Sequence, residues 1–360
     1  MLTVTGNAPP DDVLGDELPG IEQHGLVHRR SLRAIGLVGA IGVLGFVLLL
    51  SIAVGSKPIP LRTVIDALLH YDDTVNDHLI IRTLRIPRTM VGLIVGVALG
   101  LAGAVMQGVA RNPLADPGIL GVDAGAALFV VVGIYSFGVA TLLGYVWFAF
   151  AGAAVASVVV YALGSMGREG ATPVKLALAG AAVTAFISSI TTAILLLDVA
   201  TLDQFRFWAV GSLAGRSDTI AWQMLPFIAV GSAMALLSGR TLNALALGDD
   251  VARSLGQRVG IARALCTVSV VLLVGAATAA AGPIGFVGLT VPHVARAITG
   301  PDYRWVLPYS AVLAPILLLS SDIVGRVIAR PGEVEVGIVT ALVGAPFFIV
   351  LVRRRKLAEL

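Results

Sequence analysis

Few side chains in this sequence could do chemistry, and their types and spacing favour charge pairing and recognition over bond making. The densest group is Gly248-Asp249-Asp250-Val251-Ala252-Arg253-Ser254-Leu255-Gly256. Asp249 can cap a short helix, Asp250 suits its first turn, and Gly256 ends it. Such a helix, one to two turns long, offers a partner a defined knob; the other reading is a solvated interfacial helix. Arg85, Arg88 and Arg326 form a second group. They could offer positive charge to acidic groups of an arriving protein or ligand. Equally, they could snorkel to lipid headgroups or pair locally, as Asp322 can with Arg326 four residues on. Arginine at mid-membrane costs about 2.5–3.5 kcal/mol, so these side chains belong at the interface.

Other chemistry is excluded. No nucleophile–base set and no metal-ligand cluster occurs in the sequence. The single cysteine, Cys266, lies in an apolar run, which rules out an internal disulfide and a cysteine-based metal cluster. There is no Gly-x-x-x-x-Gly-Lys-Ser/Thr phosphate loop, so if ATP drives this chain another chain binds it. Ionisable residues within the apolar stretches are few, with His293 and Arg296 toward the inner end of one and Asp322 toward the outer end of another, and no chain of carboxylates crosses the membrane. That argues against an ion-coupled carrier.

Two further groups invite a role. Thr184, Ser188, Thr191 and Thr192 stand at offsets of 0, 4, 7 and 8, one face of a helix. They line a polar path or hydrogen-bond to neighbouring helices. In Asn112-Pro113-Leu114-Ala115-Asp116-Pro117-Gly118 two prolines bracket a turn, Asp116 can accept backbone hydrogen bonds, and Gly118 frees the backbone. This is a cytoplasmic contact or gate, or a rigid re-entry turn.

The elements that hold these residues are membrane spans. The 360 residues are 57% hydrophobic and 13% charged, with mean hydropathy +0.92. Soluble domains carry about 25% charged residues. Apolar windows predict ten helices at 34–55, 89–110, 117–137, 141–164, 173–199, 221–238, 261–281, 284–299, 306–328 and 336–352. The fold class expected is therefore all-α and polytopic, with residues 34–355 forming the transmembrane domain. The eighth span is interrupted by Gly282, Pro283, Gly285, Gly288 and Pro292, as in the broken helices beside transport paths or in a proline-kinked packing helix. In the second span Gly92, Gly96, Gly100, Ala104 and Gly108 form a ridge of small residues, for packing within the subunit or across a dimer. Residues 1–33 read as a flexible cytoplasmic tail. Ten spans put both termini on one side, together with most of the 25 Lys and Arg; the positive-inside rule makes that side cytoplasmic. A weak internal pattern, near 107–125 and again near 281–288, suggests inverted halves of five spans.

Several motifs together resemble the permease subunits of type II ABC importers, the FecCD/BtuC-like family. They are Arg-Ile-Pro-Arg-Thr at 85–89, Gly-Ala-Val-Met-Gln at 103–107, Asn-Pro-Leu-Ala-Asp-Pro-Gly at 112–118 and Ala-Leu-Gly-Asp at 246–249. Further on come Gly-Phe-Val-Gly-Leu at 285–289 with Pro292-His293, Asp-Ile-Val-Gly-Arg at 322–326, and Gly-Ala-Pro at 344–346. The resemblance runs from about residue 40 to 355 and implies ten helices per subunit around a path shared by two permease subunits. It implies two ATPase subunits on cytoplasmic coupling helices, here about 244–260, and an extracytoplasmic solute-binding protein outside. Gly248, Asp249, Asp250, Ala252, Leu255 and Gly256 fall on the coupling segment. Asp250-Val251-Ala252-x-x-x-Gly256 is a loose form of the importer Glu-Ala-Ala-x-x-x-Gly signature. Arg85, Arg88 and Arg326 fall where the family's arginines meet acidic residues of the binding protein. The long N-terminal tail departs from the family pattern.

The segments 204–213 and 330–337 look more like ferric-siderophore permeases than cobalamin-type members. The expectation is a non-enzymatic permease subunit of an ATP-driven ferric-siderophore importer in the bacterial cytoplasmic membrane. ATP and magnesium would be bound by its partners and not by this chain; nucleic acid is no partner, and membrane lipid surrounds it. A heterodimer with a second permease is favoured over a homodimer. Haem or cobalamin import within the same family and an ion-coupled secondary carrier are the rivals.

Overall fold

The fold, seen here in a computed structural model, is described for residues 21–167 and 171–353. Helix α1 covers Ile21–Ala53, so helix begins well before the apolar stretch at 34. Residues 1–20 of the expected tail lie outside the described residues. The first connection holds α2, Leu61–Leu69, and α3, Asn76–Leu79. Neither was among the ten expected spans, although Leu61, Val64, Ile65 and Leu68 recur at helical spacing and α2 buries Val64 and Ala67. A π-helical turn at Ile80–Arg85 leads into α4, Ile86–Ala110, whose second position is Pro87. Pro87 has no N–H to give, and beside it the ladder runs in the wider π pattern, with Ile86 N–H on the Ile81 carbonyl.

The remaining helices follow in order: α5, Val122–Phe137; α6, Leu142–Ser165; α7, Pro173–Leu197; and α8, Val199–Ala209. Then come α9, Asp218–Leu237; α10, Gly239–Ala246; α11, Asp249–Ser254; and α12, Val259–Ala281. The last three are α13, Val287–Thr299; α14, Tyr303–Ile328; and α15, Val336–Arg353. Among the described residues there is no strand. Among the described residues, seven helices are long and apolar enough to cross a bilayer. The other three expected spans are shorter as helices. The third breaks at Gly121, whose φ of 70° separates a 3₁₀ turn at Pro117–Leu120 from α5. The eighth is irregular from Gly282 to Phe286, both at positive φ, and only α13 remains helical. The tenth, α15, has 18 residues.

Helix α4 is the central rod, packed on α9, α12, α13 and α14. Its small residues explain that position. A Cβ built on Gly96 or Gly100 would overlap the backbone of α14 at Pro315 and Ser310, and one on Gly103 would overlap Gly288 of α13. The ridge therefore packs within the subunit. Overpacking a core costs about 1–3 kcal/mol. Gly103→Val should cost at least that much, because the obstacle is backbone and cannot swing away. A fall in the thermal unfolding midpoint of the purified chain checks it, with Gly39→Val as the control, since that glycine has open space around it.

Candidate functional site

The functional groups sit at two ends of this rod. Arg88 lies in its first turn and Arg111 just beyond its last, roughly 35 Å apart at 1.5 Å per residue.

At the Arg88 end an ionic network ties four segments. Asp322 on α14 is fully buried. It accepts from Arg88 Nη2 at 2.6 Å and from Arg88 Nε at 3.1 Å, and pairs with Arg326 Nη2 at 3.0 Å. Arg88 Nη1 also donates to Glu333 at 2.6 Å. Partial burial opposes ionisation of Glu333, yet the bond from Arg88 prevails and holds its carboxyl below its ordinary range. Arg326 Nη1 donates to the carbonyls of Ser51 and Val54, and Arg85 donates to those of Ile52, Ala53 and Lys57. The last carbonyls of α1 have no intrahelical donor and carry the negative end of its dipole, so two guanidiniums satisfy both needs.

This changes the expected role of the three arginines. Arg85, Arg88 and Arg326 are 5%, 8% and 2% exposed. They edge a recess of about 310 Å³ with Glu333 and Lys57, but their charge is already committed to carbonyls and carboxylates. In this structure the three guanidiniums bond inward, and Arg88 and Arg326 share their charge with Asp322. The cations exposed beside the recess are Lys57, paired with Asp77, and Arg330, which donates to the Gly55 carbonyl.

At the Arg111 end a second network holds α11. Gly248, at φ 106°, occupies the cap position, so Asp249 does not cap the helix as expected. Its carboxylate is drawn instead to Arg263 Nη2 at 2.8 Å and to Arg111, two arginines from different helix ends. Arg263, in turn, donates to the Ala171 carbonyl at 3.0 Å. Asp249 thus fastens α11 to the end of α4, the start of α12 and the α6–α7 connection. Asp250 is 97% exposed at its side chain and pairs with Arg253. Gly256, at φ 82°, closes the helix, with Gln257 N–H bonded to the Ala252 carbonyl. Ala252 is buried, whereas Val251 and Leu255, one helical turn apart, are exposed, as is Leu247 just before the helix. The segment is a knob: one side locked, the other an apolar ridge open to a partner.

Two further ties brace this end. Gln107 accepts from Arg296 and donates to the Leu289 carbonyl at 3.1 Å, linking α4 to α13. Asp302 caps α14 and accepts from Asn243 of α10 at 2.7 Å. Its bonds from Arg304 and Asn243 hold its carboxyl down at about 2. In the turn before α5, Asp116 accepts from Gly118 N–H at 2.8 Å and Asn112 from Leu114 N–H at 2.9 Å. Pro113 and Pro117 bracket it as expected, and it is a self-bonded turn between Arg111 and the 3₁₀ segment. The hydroxyl face of α7 divides: Thr191 is buried and bonds back to the Ile187 carbonyl, Thr184 is half-buried, and Ser188 and Thr192 are exposed. Ser188 and Thr192 share a strip with Ala177, Ala181 and Ala185, beside a sector of bulky exposed Leu178, Phe186 and Leu196.

Sequence comparison matches residues 43–354 to the FecCD transport family. The ferric enterobactin transport system permease protein FepD of Escherichia coli (strain K12) is 45% identical over 324 residues, 90% of this chain and 96% of FepD. The Fe(3+)-citrate import system permease protein YfmD of Bacillus subtilis (strain 168) is 44% identical over 335 residues, covering 92% and 98%. A solved metal-chelate type ABC transporter in an inward-facing conformation superposes with a TM-score of 0.78 at 28% identity, covering 88% of this chain and 98% of that one.

Proposed function

The chain belongs to the FecCD transport family, and on that premise we propose that it is the membrane-spanning permease of an ATP-driven importer for ferric siderophores. Its transport role and its family place it in a membrane as an ABC permease. The bacterial cytoplasmic membrane, both termini inside, is the orientation supported by the distribution of its basic residues. The substrate class follows relatives whose names specify ferric enterobactin and ferric citrate.

The observation that carries the coupling role is α11, with its apolar ridge exposed and its Asp249 locked to two spans. Each of two ATPase subunits, which bind ATP and magnesium, receives such a knob from one of two permeases. A second permease, more plausibly a related chain than a copy, completes the path. Closure of the ATPases moves α11; Asp249 passes that motion to the ends of α4 and α12. The small, hydroxyl-bearing strip of α7 faces the path or the second permease, because a hydrated solute meets no bulky obstruction there. The bulky sector of α7 faces lipid. At the opposite end a loaded binding protein docks over the recess, reading Lys57, Arg330 and the surface that the buried arginines hold in place.

A competition experiment tests the substrate class. Cells expressing this chain with its ATPase and binding protein should take up radiolabelled iron as a ferric siderophore. Excess unlabelled ferric siderophore should suppress that uptake, and haem or cobalamin should leave it unchanged. Suppression by haem or cobalamin instead would reassign the substrate.

A further inference from the structure

Two cavities adjoin at the start of α12. One is an apolar groove of about 360 Å³ between α9 and α12, walled by Met234, Leu237, Ile261 and Leu265. The other is a polar recess of about 370 Å³ edged by Arg253, Arg258 and Arg263. Gln257, Arg258 and Ile261 line both.

The donors in the recess are unequally committed. Arg253 is paired with Asp250, and Arg263 with Asp249 and the Ala171 carbonyl, so the nearest carboxylates are already engaged. Arg258 is exposed and has no acceptor among the described residues. Arg263 is 4% exposed, and its buried Nε also lacks one. The backbone N–H groups of Val259, Gly260 and Ile261 are the orphans of the first turn of α12, which no side chain caps. The exposed Arg258 guanidinium and the three first-turn N–H groups offer an anion site where the recess meets the groove.

An anion alone leaves the adjoining groove unexplained. Its rim residues Leu237 and Leu265 are 83% and 54% exposed, apolar surface that hydrocarbon covers favourably. Basic pockets between spans near the cytoplasmic surface suit anionic lipid headgroups. We propose that this site binds one anionic phospholipid, its phosphate against Arg258 and the first turn of α12, one acyl chain in the groove. The lipid would then sit against the segment joining α11 to α12 and brace the coupling helix from its membrane side.

The test uses the full-length chain purified in neutral detergent and titrated with phosphatidylglycerol or phosphatidylcholine, with retained lipid counted by native mass spectrometry. Phosphatidylglycerol should be retained in preference. Arg258→Gln should weaken that retention about fivefold, the scale of one arginine–lipid contact, and Arg258→Lys should keep most of it. Ile261→Trp, which fills the groove, should weaken retention of both lipids. Arg62→Gln, at an exposed arginine in α2, should change nothing. Equal retention of the two lipids, or an unchanged preference in Arg258→Gln, overturns the proposal. Displacement of phosphatidylglycerol by inorganic phosphate, with Ile261→Trp without effect, marks a free-phosphate site and overturns it too.

Discussion

Asp249→Ala should lower ATP-dependent uptake at least about tenfold while the chain still inserts and still recruits its ATPase. The substitution leaves the exposed apolar side chains of Leu247, Val251 and Leu255 untouched. What it removes is the carboxylate shared by Arg111 and Arg263. Without it α11 keeps its backbone cap at Gly248 but loses its tie to α4 and α12. Coupling between distant sites is commonly 1–3 kcal/mol, about 5- to 150-fold, and this tie links the knob directly to the end of the central rod. Asp249→Glu should recover part of the loss, since a longer carboxylate still reaches an arginine. The check is the ratio of substrate moved to ATP hydrolysed in reconstituted complexes. A variant that hydrolyses ATP at the wild-type rate and transports little fits the account. A variant that loses ATPase binding altogether would make Asp249 part of the docking surface instead.

Asp322→Ala should destabilise the chain severely. The carboxylate is fully buried and serves Arg88 and Arg326, themselves almost fully buried. Breaking a buried pair by removing one partner costs about 3–5 kcal/mol because it strands a charge, and here two guanidiniums lose the carboxylate they share, with Arg88 keeping only Glu333 and Arg326 only neutral acceptors. Those guanidiniums also align with Glu333 and the end of α1. The expected result is little folded protein in the membrane and, where it can be purified, a lower thermal midpoint. Asp322→Asn should be milder but still harmful, since it keeps an acceptor and loses the charge. Wild-type stability in both variants would show that the network is solvated and dispensable.

Much of this architecture could be read from the residues, and the parts that could not share a cause. Long uninterrupted apolar stretches marked the spans because a bilayer demands about 20 apolar residues in a row. The glycine ridge of the second span declared close packing, but its partner did not show in the sequence. Pro315 and Ser310 lie some two hundred residues further on, and only the fold brings them to Gly96 and Gly100. The Asp322–Arg326 pair was legible as a local spacing. The link from Arg88 to Asp322 crosses 234 residues and was not. That long-range partner is why the arginines are fasteners and not free charges. Asp249 failed as a cap for a similar reason. Capping propensity is local, whereas Arg111 and Arg263 approach from two other helices and outcompete it. The short third span was blurred because hydropathy does not register a positive-φ break such as Gly121, whereas the glycines and prolines of the eighth did mark its irregular start at Gly282–Phe286.

The central claim is that this chain passes the work of ATP hydrolysis to a ferric siderophore across the membrane. The most direct measurement is radiolabelled ferric-siderophore uptake into proteoliposomes holding this chain, its partner permease and the ATPases, with loaded binding protein outside and ATP enclosed inside. Accumulation should require binding protein on one face and hydrolysable ATP on the opposite face, and ionophores that collapse ion gradients should not change it. Uptake that proceeds without ATPase subunits, or that stops when the ion gradient is collapsed, would contradict it.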